Sequence, residues 1–588
     1  MKREDIKPEY KWKIEDIFSS DSEFYSLYNE LKKKISFKEF KGKLNNAETI
    51  KNCYDKLYAL VLDLEILSVY AMMKRDEDGS NSKANEMYGL VEEISVLFSS
   101  SISFIDAEIT SLSIEKLTEI SNSTILKDYY RDIKRLIDYK PHILGEEAEN
   151  LLALGGKVFG GYKTAFSMID NVDLDCPTIK VDNKKVKVTG AVFSVMLQNP
   201  DRNIRRKAFK SYYKAYEKVL NTITALYLGN VDKNVFITKA RKFKSSIERA
   251  LFAEEVDKSV YENLLKSVNN SLSNLHEYIF ARRDLMGGKI NMYDLYVPLV
   301  KGADLKLDYK EAYDLVIEGL KPLGEDYKNL LKRAYNERWI DVYENEGKRG
   351  GAYSVSVYGL KHPFVLWNHT KTTHSVFTIA HEMGHAIHSF KSNEAQKQQT
   401  ADYKIFVAEV ASTVNEILLI KHLTSTCKSD SDKKYFLSYY LDTIRTTLFR
   451  QTMFAEFEYN AHKMVENGKP LTKDYLCKMY YKLNKKYYGK GVIHDKEISY
   501  EWARIPHFYN AFYVYKYSTG IISAICIAEN ILKYGEPYVK DYFKFLSSGS
   551  TDTPVELLKI AGVDLTKDEP YKIAMQSFSE ALNEFKKL

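Results

Sequence analysis

The stretch HEMGH, residues 381 to 385, carries two histidines and a glutamate at a spacing that can bind a metal ion. The chain of 588 residues contains only 12 histidines. The flanks FTIA and AIHSF are apolar and lack proline, which predicts a helix over 377–390. On such a helix His381 and His385 lie about 40° apart around the axis and about 6 Å apart along it. Both imidazoles therefore face one side, where they can bind one Zn²⁺ ion.

Glu382 lies about 100° further around this helix than His381, so we expect it beside the metal rather than on it. A bound zinc ion polarises a carbonyl group and lowers the pKa of water towards about 7. A neighbouring carboxylate can take the proton of that water and return it to a leaving amine. Gly384 costs about 1 kcal/mol in mid-helix relative to alanine, which predicts a closely packed neighbour at this turn.

A catalytic zinc site needs a third protein ligand and an open fourth position. The apolar segment DYKIFVAEVASTVNEILLI, 402–420, carries only two glutamates, and a carboxylate in such surroundings requires a cation or a hydrogen-bond partner. We predict that Glu409 is the third ligand. Glu416 lies on the same helical face and is predicted to hold a ligand histidine through its free ring N–H. His388 stays open as a competing third ligand.

The elements that must position these residues are predicted to be mainly helical. Apolar residues recur at helical spacing over most of the chain, which has only 12 prolines. Two short stretches of alternating pattern, 174–190 and 350–369, predict small β patches. One helix is expected to begin after Pro141 and to stop at Gly155. The segment GGKVFGGYKT, 155–164, is interpreted as a glycine-rich helix break, because Tyr162 stands where a phosphate loop requires lysine.

Composition argues against several other classes of protein. The formal net charge is +6, from 86 basic and 80 acidic side chains dispersed along the chain, so we expect no nucleic-acid and no membrane partner. Five cysteines without CxxC spacing are typical of reduced thiols in a cytoplasmic protein. No stretch reaches the roughly 18 uncharged apolar residues of a membrane span. The nearest, 58–73, is interrupted by Asp63 and Glu65.

HEMGH followed by FVAEVASTVNE resembles the oligoendopeptidase F branch of the thimet-type zinc oligopeptidases, which are gluzincins. The segments KRGGAY (348–353), HPFVLWN (362–368) and IPHFYNAFYVYKYSTG (505–520) are similar to that family as well, so the resemblance covers essentially the whole chain. It implies a mainly α, ellipsoidal zinc peptidase fold with a deep central channel and small β patches near the active site. The metal ligands would be His381, His385 and Glu409, for one Zn²⁺ per chain, with Glu382 as the general base.

The same resemblance implies the substrate and the domain organisation. The substrate would be a short, unstructured oligopeptide, because folded proteins cannot enter such a channel. An N-terminal helical region, 1–200, would contain a family-like segment at about 112–190. The catalytic metallopeptidase domain would comprise 201–588.

The family also uses a histidine and tyrosines from a mobile loop to hydrogen-bond the tetrahedral intermediate. The matching positions are His507 and the tyrosines of FYNAFYVYKY (508–517). The alignment favours Tyr515 as the oxyanion donor, with Tyr509 and Tyr513 nearby. The alternative is that these tyrosines only pack between helices. HPFVLWN could offer an exposed edge strand to an extended peptide; the alternative is a hairpin that only braces the site.

Two other functions remain open from the sequence. A zinc exopeptidase would need a charged anchor for a peptide terminus, which Arg349, Arg504 or neither could supply. A helical scaffold protein with a structural zinc would have no use for Glu382 and would usually provide four ligands. Cobalt or manganese could replace zinc at such a site. The sequence predicts neither the cleavage preference nor the oligomeric state.

Overall fold

A computed structural model describes residues 1–300 and 305–588. Helix accounts for 72% of the structure, against about a third in typical globular proteins, so the mainly α prediction is confirmed. The α-helices are α1 (Asp21–Lys34), α2 (Ala47–Glu77), α3 (Ser82–Ile102), α4 (Ile105–Ser111), α5 (Ile114–Ser121), α6 (Tyr130–Tyr139), α7 (Glu146–Met168), α8 (Gly190–Met196), α9 (Arg202–Ala240), α10 (Ser246–Ala253), α11 (Lys258–Asn270), α12 (Leu272–Leu285), α13 (Tyr309–Gly319), α14 (Gly324–Asn336), α15 (Thr373–Ala395), α16 (Gln398–Ala401), α17 (Ile405–Thr426), α18 (Asp430–Ile444), α19 (Arg450–Glu466), α20 (Lys473–Tyr488), α21 (Tyr515–Tyr534), α22 (Glu536–Leu546), α23 (Pro554–Ile560) and α24 (Glu569–Lys587).

The chain forms two compact units, and each unit draws on three separate stretches of sequence. Unit 1 comprises Met1–Pro141, Asp304–His422 and Ile527–Val563. Unit 2 comprises His142–Ala303, Leu423–Cys526 and Asp564–Leu588. The division of the chain at residue 200 stays a prediction.

Both predicted β patches are present. In unit 2, β1 (Thr178–Val181) and β2 (Lys184–Lys187) form an antiparallel hairpin. In unit 1, β3 (Ile340–Asp341), β4 (Tyr353–Val355) and β5 (Phe364–Leu366) form a sheet in the order β3-β5-β4. Strand β5 pairs with β3 in parallel and with β4 antiparallel.

The expectation that HPFVLWN is an exposed edge strand is wrong. Its strand, β5, is central in the sheet, and all three of its residues are buried. This burial follows from their run of apolar side chains, which must be covered on both faces. The edge strand is β4, whose residues are half-buried.

The glycine-rich helix break predicted at 155–164 is also wrong. Helix α7 runs without interruption from Glu146 to Met168, and it begins five residues later than the expected start after Pro141. It packs against α9, where the Tyr162 ring occupies the space next to Gly229: a Cβ on that glycine would lie 2.3 Å from the ring. Each glycine in a helix costs about 1 kcal/mol, which packing along a long partner helix can offset.

One stretch of the described chain, 82–111, is long and apolar enough to cross a membrane, judged by length and composition alone. It comprises α3 and α4, and 22% of its most apolar window is buried. Met87, Val91, Ile94 and Phe98 of α3 belong to the hydrophobic core of unit 1. One such stretch is weak evidence for a membrane span, because a core helix can pass the same test.

Helix α15, which carries HEMGH, rests on the small sheet of unit 1. It packs against both β4 and β5, and it is capped by Thr372, whose side chain accepts a hydrogen bond from the Ser375 N–H. Below it, the Lys348 ammonium donates to the carbonyl oxygens of Trp367 (2.6 Å) and Tyr343 (2.8 Å). The segment that leads into α15 is therefore fixed by buried hydrogen bonds.

Candidate active site

Helices α15 and α17 touch at Gly384. A Cβ atom on this glycine would lie 2.5 Å from the Cα of Ser412 and 2.7 Å from the carbonyl oxygen of Ala411. The prediction of a closely packed neighbour at this turn is thus confirmed. A second link joins the helices, because the Asn415 amide donates to the Ala380 carbonyl over 2.9 Å. The backbones approach closely enough for side chains of both helices to meet at one point.

Three side chains converge beside this contact. The Nε2 atoms of His381 and His385 lie 3.2 Å apart. Oε2 of Glu409 lies 3.3 Å from Nε2 of His381 and 3.5 Å from Nε2 of His385. Ligands bound tetrahedrally at 2.0–2.1 Å from a zinc ion are about 3.3 Å apart. The triangle therefore has the size that a zinc ion requires.

Charge and hydrogen bonding orient the histidine at one corner of this triangle. The Nδ1–H of His381 donates to Oε1 of Glu416 over 2.5 Å, which leaves Nε2 for a metal. Without a metal ion, burial alone would lower the pKa of His381, but hydrogen bonds to Glu409 and Glu416 raise it, so binding of a metal at Nε2 would release a proton. Glu409 is likewise disfavoured as an anion by burial, yet its hydrogen bonds to the two histidines hold the pKa of this carboxyl far below its usual value.

Glu382 lies next to the triangle without belonging to it. Its side chain is 8% exposed, and burial raises the pKa of its carboxyl, while His381 and His385 oppose that shift. A carboxyl with a raised pKa is suited to accept and release a proton near neutral pH.

His388 lies away from this group. Its ring stacks on Tyr403 at 3.8 Å between centroids and is 1% exposed, and burial lowers its pKa to about 3. The one group of potential ligand atoms found in the described residues consists of His381, His385 and Glu409. This geometry favours Glu409 over His388 as third ligand.

The predicted loop residues lie in unit 2, between α20 and the start of α21. His507 is exposed, and its Nε2 lies 3.3 Å from the Tyr517 hydroxyl. The rings of Tyr513 and Tyr517 lie 5.8 Å and 5.9 Å from that of His507. Partial burial of its ring lowers the pKa of His507, and the charge of Arg450 adds to the effect.

The other two predicted tyrosines are buried. Tyr515 is 1% exposed and packs against the Tyr261 ring at 5.2 Å. Tyr509 is 5% exposed and stacks on Phe166 at 4.3 Å. Tyr517, half-buried beside His507, was not singled out in the sequence, although it lies in the same tyrosine-rich run. The available signal was its place in FYNAFYVYKY, two residues beyond Tyr515.

A buried carboxyl group anchors this loop. Oε1 of Glu458 accepts a hydrogen bond from the Phe512 N–H over 2.8 Å. Phe512 has a φ of +56°, a left-handed conformation that is uncommon for an aromatic residue and persists only where the surroundings hold it. Burial raises the pKa of Glu458 to about 8, while the Phe512 N–H opposes the shift.

Comparison with known proteins finds a family match over most of the chain. The sequence pattern of peptidase family M3 matches residues 195–577, and the pattern described as oligopeptidase F matches residues 108–175. The chain belongs to peptidase family M3. The resemblance found in the sequence is thereby confirmed, and the chain is a metallo-oligopeptidase hydrolase that acts on peptides.

Relatives in the M3 family match over the full length. The chain is 39% identical to oligopeptidase PepF of Bacillus subtilis over 100% of its own length and 88% of that protein. It is 35% identical to an oligoendopeptidase F homolog of Borreliella burgdorferi, with 100% of both chains covered. Among solved structures, oligoendopeptidase F of Enterococcus faecium matches with 33% identity and a TM-score of 0.73, over 96% of this chain and 98% of that one.

Proposed function

We propose that this M3 peptidase is a zinc-dependent endopeptidase that hydrolyses internal bonds of short, unstructured oligopeptides. The observation that carries the proposal is the triangle of two Nε2 atoms and one carboxylate oxygen, with sides of 3.2 to 3.5 Å, next to a buried glutamate. A structural zinc site has no use for such a glutamate and usually provides four protein ligands. The M3 membership of the chain supports the same reading.

His381, His385 and Glu409 would hold one Zn²⁺ per chain. When bound there, zinc would polarise the scissile carbonyl and lower the pKa of the attacking water. Glu416 fixes the tautomer of His381 by accepting its Nδ1–H, so that Nε2 keeps its lone pair for the ion. Cobalt or manganese are alternative occupants of this donor set.

Glu382 would act as the general base. Its carboxylate takes a proton from the attacking water and passes it to the nitrogen of the leaving amine. Its burial and its raised pKa support this role, because a raised pKa makes the carboxylate a stronger base.

As the family resemblance implies, residues of the segment 505–517 would donate hydrogen bonds to the oxygen that becomes negative in the tetrahedral intermediate. Accessibility favours Tyr513 and Tyr517, with His507 as their neighbour, over the buried Tyr515 and Tyr509. Tyr515 nevertheless stays the donor that the sequence alignment predicts. A donor of this kind is worth about 10²–10³ in kcat.

Three further parts of the account are proposals as well. The substrate would reach the metal through a central channel, which would exclude folded proteins. Residues 201–588 would form the catalytic domain and 1–200 an N-terminal helical region. A cytoplasmic location would fit a chain of this length with only five cysteines and no CxxC spacing.

A decapeptide blocked at both ends tests the proposal. We expect mass spectrometry to find internal cleavage that a chelator abolishes. If only an unblocked peptide were trimmed, the exopeptidase would be the correct reading. Of the two arginines that could anchor a terminus, Arg504 pairs with Glu501 over 3.0 Å and Arg349 with Asp76 over 3.1 Å. If the zinc-loaded protein cut neither peptide, the metal would be structural and the proposal would be wrong.

A further inference from the structure

Unit 1 contains a cavity of about 400 Å³ close to the candidate metal centre. Its walls share both helices of that centre. Ser389 and Asn393 belong to α15, one and two turns beyond His385, while Asp402 and Tyr403 directly precede α17. The Ser389 hydroxyl and the Tyr403 hydroxyl lie 2.8 Å apart and close the wall between the helices. The volume lies in the usual range for ligand pockets.

The edge strand of the small sheet, β4, leads into this cavity. Strand β4 ends at Val355, and the next three residues, Ser356, Val357 and Tyr358, line the cavity. The Asn393 amide donates to the Ser356 hydroxyl (3.1 Å) and to the Val357 carbonyl (3.3 Å), which ties the strand to α15. A peptide that paired with the edge of β4 would therefore pass the cavity mouth.

The distance along α15 fixes which part of a peptide would reach the cavity. Ser389 and Asn393 follow His385 by four and eight residues, or about 6 and 12 Å at 1.5 Å per residue. An extended peptide advances about 3.3 Å per residue. For a peptide that lies along α15, the cavity thus corresponds to a position about two to four residues from the bond that is cut.

The charges that line the cavity are unequal. Three carboxyl groups, Glu65, Asp132 and Asp402, face two cations, Arg135 and Lys404. Asp132 accepts a hydrogen bond from Tyr58 over 2.8 Å and is stabilised by the charge of Arg135. Within the described chain, Asp402 has one partner, the backbone N–H of Tyr403, and Glu65 has no hydrogen-bond or ion-pair partner. One half-buried carboxyl group in the wall is therefore without compensation.

The pKa of Glu65 also indicates that no cation of the described chain lies beside its carboxyl group. Burial raises the pKa of its carboxyl to about 7, and the negative charge of Asp402 adds to the shift. Neither Arg135 nor Lys404 contributes to that shift. A cation placed between Glu65 and Asp402 would offset the repulsion that Asp402 exerts and would favour the ionised form of Glu65.

We propose that this cavity is a specificity pocket that binds a cationic group of the substrate, with Glu65 and Asp402 as its recognition pair. The cation would be a lysine or arginine side chain, or a free terminal ammonium group, two to four residues from the scissile bond. This inference rests on the proposed peptidase function, because it assigns the pocket to the substrate of that site.

Binding to an inactive protein tests the pocket without relying on catalysis. The protein would carry Glu382→Gln, and the ligands would be decapeptides blocked at both ends that differ only by lysine, norleucine or glutamate two to four residues from the centre. We expect the lysine peptide to bind about fivefold more tightly than the norleucine peptide, as for a partly exposed ion pair. The glutamate peptide should bind most weakly.

Additional substitutions decide whether Glu65 is responsible. Glu65→Gln should remove the preference for lysine, and Glu65→Lys should reverse it in favour of glutamate. The matched control is Glu92→Gln, an exposed glutamate of unit 1 that lies outside the cavity wall. Equal affinities for the three peptides, or a preference that survives Glu65→Gln, would overturn the proposal.

A further pair of peptides separates the two sources of the cation. One has a free amino terminus at the same distance from the centre, and the other has an acetylated terminus there. If only the peptide with the free amino terminus gains affinity through Glu65, the pocket binds the terminal ammonium group. If only the peptide with internal lysine does, the pocket binds side chains. Cleavage of the norleucine peptide by the unaltered protein is measured in parallel. Absence of that cleavage would contradict the proposed function. The binding preferences test the pocket alone.

Discussion

The Nδ1 atom of His381 lies 2.5 Å from Oε1 of Glu416, a residue that the chain places 35 positions later on a different helix. The same ring presents Nε2 to Glu409 at 3.3 Å. Glu416 of α17 therefore holds the His381 ring through Nδ1. Nε2 of the same ring faces the metal position next to Glu409, which also belongs to α17. These two glutamates, identical in type, are expected to respond differently to substitution.

Glu409→Gln should abolish stoichiometric zinc binding, because it removes a charged ligand. Glu416→Gln should retain the metal with about 10- to 100-fold lower affinity, the usual effect of losing a partner of a ligand histidine. His388→Phe should keep full zinc affinity, since its buried ring stacks on Tyr403 away from the triangle. Competition with a metal indicator would measure all three. Full zinc occupancy in Glu409→Gln, together with loss in His388→Phe, would make His388 the third ligand.

Gly384→Ala should separate α15 from α17. The added Cβ would meet backbone atoms at 2.5 and 2.7 Å, which cannot rotate away as a side chain can. We expect the free energy of unfolding to fall by about 1–3 kcal/mol and the zinc affinity to fall with it. Gly89→Ala in α3 is the control, because nothing lies within 4 Å of its added Cβ and alanine favours helix. Denaturant unfolding and zinc titration would measure both effects. Equal stability and equal zinc affinity in the two variants would contradict the close contact between α15 and α17.

Tyr513→Phe and Tyr517→Phe should each lower kcat more than Tyr515→Phe does. If either hydroxyl donates to the intermediate, its loss should lower kcat by about 10²–10³ with little change in KM. Tyr515 is enclosed at 1% exposure, so its substitution should act on stability rather than on kcat. Steady-state kinetics on a blocked peptide would decide the matter. A loss of kcat confined to Tyr515→Phe would restore the alignment-based prediction.

Glu458 should make the stability of the protein fall with rising pH. Its folded pKa, about 8, lies above the ordinary value of 4.5, so the unfolded chain releases the proton first as pH increases. The stabilising effect is complete below about pH 4.5 and is lost progressively up to about pH 8, by at most about 1.4 kcal/mol per pH unit. Glu458→Gln should flatten this slope in denaturant unfolding between pH 5 and pH 8.

The control for that experiment lies on the same helix. Glu456 pairs with Lys486 over 2.6 Å, and Glu456→Gln should leave the pH slope between 5 and 8 as it is. Equal slopes in the unaltered protein and in Glu458→Gln would show that the Glu458 carboxyl does not hold its proton in the folded state.

Local sequence predicted the features that depend on local patterns. The apolar residues around HEMGH indicated its helix. The apolar segment 402–420 indicated the second helix, which carries Glu409 and Glu416. The order of the strands did not follow from the sequence, because β5 became central only through pairing with β3, whose two residues gave no strand signal. Likewise, the glycines of α7 indicated a break, whereas packing along α9 keeps the helix continuous.

The choice among the loop tyrosines was beyond the sequence for a related reason. Tyr513, Tyr515 and Tyr517 alternate in one short run, so composition treats them alike. Their exposure depends on distant residues such as Tyr261, which covers Tyr515, and on Glu458, which fixes the backbone at Phe512. Contacts of such long sequence separation leave no local signal.

The central claim is that a zinc ion held by His381, His385 and Glu409 works together with Glu382 as base. The most direct measurement is zinc titration of metal-free protein, with cleavage of a blocked peptide followed in parallel, for the unaltered chain and for Glu382→Gln. We predict that activity of the unaltered protein returns in proportion to zinc and saturates at one equivalent. Glu382→Gln should bind one zinc with similar affinity but should be about 10²–10⁴-fold slower. Activity in the absence of metal, or a Glu382→Gln protein as fast as the unaltered one, would contradict the account.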